Sequence, residues 1–343
     1  MAKIKVVILG ATGIVGQRLA VLLADHPWFE IAALCASVDS VGFRYAEAVR
    51  GRWRAPGDIP PSVAEAVVQP CVPGGGARVA FSALEAGVAG PVEESFARAG
   101  YLVSTNARDH RMSPHVPLLV PEVNPGHLDL LKHQTFGAGG LLANPNCSTS
   151  GLVLALAPLE KRFGVRRVFV ATLQALSGAG HPGVPSLDIA ANVIPYIAGE
   201  EEKLESEPRK ILGDGASLSE IRVSAQCHRV ATVEGHLLSV AVELARRPSQ
   251  NELVDAFSSF APLEGLDLPS APRRPLFVHA DPDRPQPYRD ADRDGGMAVT
   301  IGRVRPDTLF DFRFTALVNN LVRGAAGAAI LNAELAVKEG YVS

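Results

Sequence analysis

An α/β chain of two domains is what the sequence predicts, and three features carry the prediction. Within the first two dozen residues a short strand runs through a glycine-punctuated turn into a helix; strands and helices keep alternating as far as about residue 146; beyond it, strands outnumber helices. A length of 343 residues fits two domains of ordinary size, and 47 % hydrophobic against 20 % charged residues supplies a core for each. A formal charge of −3 offers no field for polyanions, so the expected partner is a small molecule, with no nucleic acid and no membrane.

The elements follow from the side-chain pattern. Residues 5–9 (KVVIL) form a β-branched run and read as a strand, residues 10–16 as the turn, 14–23 as an amphipathic helix and 29–35 as the next strand, a β-α-β opening. Strands at 78–81 and 101–104 around a helix at 85–99 continue the alternation of a parallel sheet. A helix at 152–161, a strand at 165–173, a glycine-proline loop (SGAGHPGVP), the charged stretch GEEEKLESEPRKIL and alternating runs at 221–227, 237–243 and 299–301 then predict an α+β domain with a mixed sheet. Residues 269–294, rich in proline, aspartate and arginine, are expected to cross the surface irregularly. Residues 317–338 read as one long helix whose small residues, RGAAGAAILNAE, suit tight packing. Gln17 and Arg18 follow the glycine-broken N-terminal run, so it is not read as a secretory signal, and no apolar run approaches the roughly 18 residues of a membrane span. Four cysteines without a CxxC pair argue against a disulfide framework and a zinc site; no metal is expected, and a soluble protein of the reducing cytoplasm is.

Chemistry enters at GATGIVG. Gly10, Gly13 and Gly16 recur every three residues between strand and helix, with Thr12, Ile14 and Val15 among them. Glycine lets a backbone approach a pyrophosphate closely, and the helix start offers free N–H groups and the positive dipole end to anionic oxygens. This predicts a Rossmann-type dinucleotide-binding domain. At the end of the second strand (ASVDSVGFRY), Asp39 favours NAD, because an acid bonds the ribose hydroxyls and repels a 2′-phosphate; Ser37, Ser40 and Arg44 could still hold NADP. In ANPNCSTS, Cys147 follows a Pro-Asn turn and stands at the start of a helical pattern, where the dipole favours thiolate. Its polar neighbours Asn144, Asn146, Ser148 and Thr149 are unlike a core strand, whereas Cys35 and Cys71 read as structural and Cys227 as packing. A thiolate that forms a thioester needs a base and an oxyanion donor; backbone N–H groups of the following helix are expected as the donor. His236, after a Glu-Gly turn and near Arg229, is the candidate base, although sequence alone does not place it beside Cys147.

Taken together and in order, GATGIVG, VPEVNP at 120–125, NPNCSTS, RVATVEGH and NNLVRGAAGAAILNAE resemble the aspartate-semialdehyde dehydrogenase family, in its archaeal and fungal-type branch, over nearly the whole chain. The resemblance implies a dinucleotide-binding domain from residues 1–146 and 317–343, and a catalytic and dimerisation domain from 147–316. It implies NADPH-dependent reductive dephosphorylation of L-4-aspartyl phosphate to L-aspartate 4-semialdehyde, in the biosynthesis of lysine, threonine and methionine, by a homodimer or homotetramer. It further implies Cys147 as nucleophile, Gln174 as substrate-orienting group and His236 as acid/base. Arg229 would grip the α-carboxylate, Glu200 the amino group, and Lys203, Arg111 and Asn146 the phosphate. The cofactor would meet Ser82, the closing loop at Gly178 and Gly180, and Asn320 beside the nicotinamide. Two departures stand out: Asp39 where relatives carry a basic residue, so that NADP is implied against the local charge, and His181 where relatives often have an aromatic one. A malonyl-CoA reductase or an N-acetyl-glutamyl-phosphate reductase would share the cysteine and the glycine turn. A non-catalytic dinucleotide-binding redox sensor would need the turn alone, and not Cys147, His236 and Gln174 together.

Overall fold

The computed structural model describes residues 2–342. Strands β1 (Ile4–Leu9), β2 (Phe29–Ala36), β3 (Gln69–Pro70), β4 (Val79–Ser82), β5 (Leu102–Thr105) and β6 (Gly140–Ala143) form a parallel sheet in the order β3-β2-β1-β4-β5-β6. The inner strands are covered on both faces: Val6–Leu9 and every residue of β4, β5 and β6 are buried, whereas β2 and β3 toward the edge are partly exposed. The chain reverses its direction of winding between β1 and β4, and in such sheets the crevice at the strands' C-terminal ends receives the ligand. The glycine turn after Leu9 and Ser82 at the end of β4 both face it. The C-terminal helix Gly327–Lys338 returns to this sheet, where Ala329, Ile330 and Ala333 share a core with Val6, Leu19, Phe29 and Phe81.

The second sheet comprises β7 (Val165–Gln174), β8 (Arg222–Arg229), β9 (His236–Leu244), β10 (Leu276–Val278), β11 (Val299–Pro306) and β12 (Phe312–Val318), in the order β10-β11-β12-β9-β7-β8. It is mixed, since β7 pairs β8 and β10 pairs β11 in parallel and the remaining neighbours are antiparallel. One face packs on the helix Cys147–Phe163 through Leu152, Leu156, Leu159, Val170, Leu238, Val240 and Ala316. On the other face Phe169 and Leu173 stand exposed at 39 % and 41 %, so there this side lacks a cover among the described residues.

Three expectations are corrected. The long helix at 317–338 is two elements. FRFTALV alternates and pairs residue for residue with β9, from Phe312 opposite Val242 to Val318 opposite His236, so Leu317 and Val318 finish a strand. A turn of π-helix at Val322–Ala326 then leads into the helix from Gly327. The helix expected at 152–161 starts five residues earlier, at Cys147, because its cap lies in NPN. The crossing at 269–294 is irregular but contains β10 and a buried anchor: Asp290, 1 % exposed, accepts Arg284 Nε and the Gln286 N–H, both at 2.7 Å. These bonds outweigh burial and hold its carboxyl well below the ordinary carboxylate range.

Candidate active site

Asn146 decides where the nucleophile helix begins. Pro145 disfavours helical backbone at Asn144, and the Asn146 side chain caps the helix, accepting the N–H groups of Ser148 at 3.0 Å and Thr149 at 3.2 Å. Cys147 is therefore the first residue of the helix. From the other side the π-turn presses on it: a Cβ at Gly324 would come within 2.5 Å of the Cys147 Cβ, so only glycine fits there. Residue 324 was not foreseen as part of the site, and a π-turn, frequent at functional sites, leaves no sequence signature.

Three strands and a helix bring further side chains toward Cys147. Register brings the end of β7, the end of β8 and the start of β9 together, since Gln174 lies opposite Arg229 and Leu173 opposite Leu237, the residue after His236. The helix Glu200–Ile211 adds Glu200, Lys203, Glu207 and Lys210, whose spacing of three, four and three puts them on one face. Glu200 accepts both its oxygens' bonds from Asn146 Nδ2, at 3.1 and 2.9 Å, takes another from Gln174 Nε2 at 3.1 Å, and pairs with Lys203. Burial alone would raise its pKa, but Lys203 and these hydrogen bonds bring it below the ordinary value. Arg111, 8 % exposed, donates Nη1 to Glu207 at 2.9 Å and Nη2 to the Asn106 carbonyl at 2.8 Å, while its Nε has no partner among the described residues.

Electrostatics overturns one expectation. Cys147 is no resting thiolate: burial and the nearby Glu200 carboxylate push its thiol up to about 12, against the pull of Arg111 and Lys203. His236, fully buried, is driven the opposite way, to about 3, by burial and by the Arg229 guanidinium. Its Nδ1 accepts the Ala175 N–H at 3.0 Å, which leaves the neutral ring's proton on Nε2. Nε2 has no partner among the described residues and borders Gly178, where a Cβ would lie 3.1 Å from it and 2.8 Å from Arg229 Nη1. Gly178 thus keeps open the space between the two side chains. The helix N–H groups expected to meet an oxyanion are instead occupied, at Ser148 and Thr149, by the Asn146 cap, whereas His236 Nε2 and Arg111 Nε are buried donors without a partner among the described residues.

The dinucleotide end is built of bare backbone. A Cβ on Gly10 would meet the Ala83 carbonyl at 2.6 Å and one on Gly16 the Gly10 carbonyl at 2.2 Å, so these two glycines serve close packing. Gly13 is exposed, and no side chain caps the helix Ile14–Leu23 that it opens; Thr12, Ile14 and Val15 beside it are half-buried. An uncapped helix start beside a cradle too close for side chains fits a pyrophosphate. Ser37 and Asp39 are exposed at the end of β2, Ser40 is buried, and Arg44 is engaged by Glu65 at 2.7 Å. Asn320 reaches across to the catalytic side, accepting the Gly235 N–H at 2.9 Å and donating to Ser177 Oγ at 2.9 Å. Gly178 lies in the 3-10 turn Leu176–Ala179, with Gly180 just after, and His181 meets Arg54 of the opposite side at 3.1 Å.

Known proteins are similar over this whole arrangement. The family model described as "Semialdehyde dehydrogenase, NAD binding domain" matches residues 5–131, and that described as "Semialdehyde dehydrogenase, dimerisation domain" matches residues 156–323. The chain is 47 % identical to the aspartate-semialdehyde dehydrogenase of Archaeoglobus fulgidus, over 98 % of each chain, and 44 % identical to that of Schizosaccharomyces pombe, over 100 % of each. Among solved structures, aspartate semialdehyde dehydrogenase with NADP from Candida albicans superposes with a TM-score of 0.90 at 40 % identity, covering 99 % of this chain and 100 % of that one. Aspartate semialdehyde dehydrogenase II complexed with ASA from Vibrio cholerae follows at 0.79 and 27 %, with 99 % and 100 % covered.

The raised thiol predicts slow chemistry in the ligand-free protein. Iodoacetamide should label Cys147 more slowly than free cysteine at pH 7.5, with a rate still climbing above pH 9; site-resolved mass spectrometry would contradict this by finding a rate that has levelled off by pH 7.

Proposed function

The chain belongs to the semialdehyde dehydrogenase family, and from that premise we propose that it carries aspartate-semialdehyde dehydrogenase activity: reduction of L-4-aspartyl phosphate to L-aspartate 4-semialdehyde with release of phosphate, for the synthesis of the amino acids derived from aspartate. One observation supports it above the rest. The Cys147 thiol lies near a buried carboxylate, Glu200, and a buried guanidinium, Arg229, a pair suited to the two charged ends of a free amino acid. A CoA thioester or an N-acylated substrate has no ammonium group to place at Glu200, which disfavours the malonyl-CoA and N-acetyl-glutamyl-phosphate alternatives. A non-catalytic sensor needs none of these groups.

In this reading Arg229 takes the α-carboxylate, Glu200 the ammonium, Gln174 orients the substrate, and Arg111, Lys203 and Asn146 receive the phosphate. Arginine suits the carboxylate and phosphate ends through its planar fork of donors. Binding changes the local charges: burial is the main reason that Cys147 stays protonated and His236 neutral, and the ammonium offsets the added field of Glu200 on the thiol as the carboxylate offsets that of Arg229 on the ring. The Cys147 sulfur bonds to the acyl carbon, the carbon–oxygen bond to phosphate breaks, and the thiol proton leaves with the phosphate. The His236 Nε2–H donates to the carbonyl oxygen as negative charge gathers there. The turn from Gly10 to Gly16, with Ser37, Asp39, Ser40, Ser82, Gly178, Gly180 and Asn320, would hold NADPH, which when bound would supply the hydride for reduction of the acyl group to the aldehyde. The carbon–sulfur bond to Cys147 then breaks, and a proton taken up from solvent and relayed by His236 restores the thiol.

The exposed Phe169 and Leu173 face of the second sheet supports assembly as a homodimer, or a homotetramer built from it, and four free cysteines fit the reducing cytoplasm.

Assayed as phosphate-dependent reduction of NADP by aspartate semialdehyde, Cys147→Ala should lose all turnover. Ordinary turnover by that variant, or wild-type activity confined to malonyl-CoA, would reject the reading. Removing the acid at the end of β2 should favour the 2′-phosphate: Asp39→Arg is expected to raise the ratio of NADP to NAD efficiency by roughly tenfold, the effect of one charge-assisted hydrogen bond. An unchanged ratio would show that the adenosine end lies elsewhere.

A further inference from the structure

The stripe Glu200, Lys203, Glu207, Lys210 divides into two pairs. The first is assigned to substrate, Glu200 to the ammonium and Lys203 to the phosphate; the second has no such assignment, yet Glu207 is only 1 % exposed. Its Oε1 accepts Arg111 Nη1 at 2.9 Å, and its Oε2 accepts the backbone N–H of Asn146 at 2.7 Å. One turn on, Lys210 Nζ donates to the carbonyls of Arg111, Ser113 and Val116, each at 2.7 Å, and so fastens the loop that carries Arg111 to the same helix. With Glu207 and Asn106 on its two Nη atoms, the Arg111 fork is locked and its buried Nε remains an unused donor.

We infer that Glu207 is a positioning residue for the reaction: one carboxylate aligns the phosphate-gripping Arg111 with the cap of the Cys147 helix, so that leaving group and nucleophile keep a fixed separation. A mere stabilising ion pair would not need this division, because a well-packed apolar pair serves stability as well as a buried charged one. What an apolar pair does not provide is orientation of a guanidinium and a helix cap by two oxygens of one rigid group. The inference rests on the reading of Arg111 as a phosphate ligand.

The test compares wild type with Glu207→Gln, Glu207→Asp, Arg111→Ala and the double variant Glu207→Gln/Arg111→Ala in the aldehyde-oxidising direction, with KM measured separately for inorganic phosphate, NADP and aspartate semialdehyde. Glu207→Gln should raise KM for phosphate by about tenfold or more, as expected for misplacement of a binding group. KM for NADP should stay within about twofold, and Glu207→Asp should recover part of the loss. The double variant should match Arg111→Ala alone in its phosphate KM, because groups acting in series are not additive. A phosphate KM in Glu207→Gln within about twofold of wild type, or two losses that multiply in the double variant, overturns the proposal. A lowered melting temperature with all three constants unmoved overturns it too. Should Glu207→Gln fail to fold, Glu207→Asp is judged by the same criteria. Thermal stabilisation by inorganic phosphate separates this proposal from the reading beneath it. Stabilisation seen in wild type and lost in Glu207→Gln, without turnover of aspartate semialdehyde, supports the Glu207 arrangement and rejects the substrate.

Discussion

Two buried carboxylates gripping one asparagine hold the pocket together. Glu200 takes the Asn146 side-chain amide and Glu207 its backbone N–H, while the remaining oxygen of Asn146 caps the helix that starts at Cys147. Burying two carboxylates is costly unless each is paired and hydrogen-bonded, and here Lys203, Gln174 and Arg111 complete the pairing. Every side chain in that list is one the proposed substrate chemistry also requires. The same bonds that make the burial tolerable therefore fix the geometry of the pocket, and loss of one carboxylate leaves uncompensated cations beside the thiol.

That arrangement explains why the resting state is a thiol and an imidazole instead of an ion pair. A helix start favours an anion by roughly 0.3–2 kcal/mol, which at about 1.4 kcal/mol per pKa unit lowers a thiol by at most about one and a half units. Burial together with Glu200 exceeds this and lifts Cys147 to about 12. The position at the helix start is real, but its field is the smaller effect. A pocket buried and charged this way keeps its sulfur weakly nucleophilic in the ligand-free protein.

Local pattern made much of this legible in advance. The glycine turn, the strands on either side of it and the cysteine in NPNCSTS depend on near neighbours, so their residue types report them directly. Leu317 and Val318 misled because the small residues after them continue a helical texture, whereas the deciding partner, β9, lies some eighty residues earlier and pairs only in three dimensions. Residue spacing put Glu207 on the face of Glu200 and Lys203, yet a charged helix face reads as solvated until its neighbours are known. His236 stood in a recognisable motif, but its tautomer depends on the Ala175 N–H, a contact between strands sixty residues apart that no motif encodes. His181, unaccounted for in the sequence, finds its partner in Arg54 for the same reason.

How His236 comes to be tied to the first sheet follows from the turn before β9. Gly235, at φ 92°, bends the chain so that Glu234 and His236 point in different directions. Glu234 is held at 2.7 Å by Arg18 from the helix that follows the glycine turn, and the Gly235 N–H is held by Asn320 from the segment leading back to the first sheet. The imidazole thus hangs from a turn whose neighbouring residues are both fastened to the dinucleotide side. Arg18 is almost wholly buried and Glu234 about a quarter exposed, so this contact is partly shielded from the solvent that would weaken it. Displacing the glycine-turn helix would carry Glu234 with it and shift His236 relative to Cys147, which is held separately through Asn146. The separation of His236 from Cys147 is accordingly tied to the fit of one sheet against the other, with Arg18–Glu234 fastening the turn before His236 and Arg111–Glu207 fastening the start of the Cys147 helix.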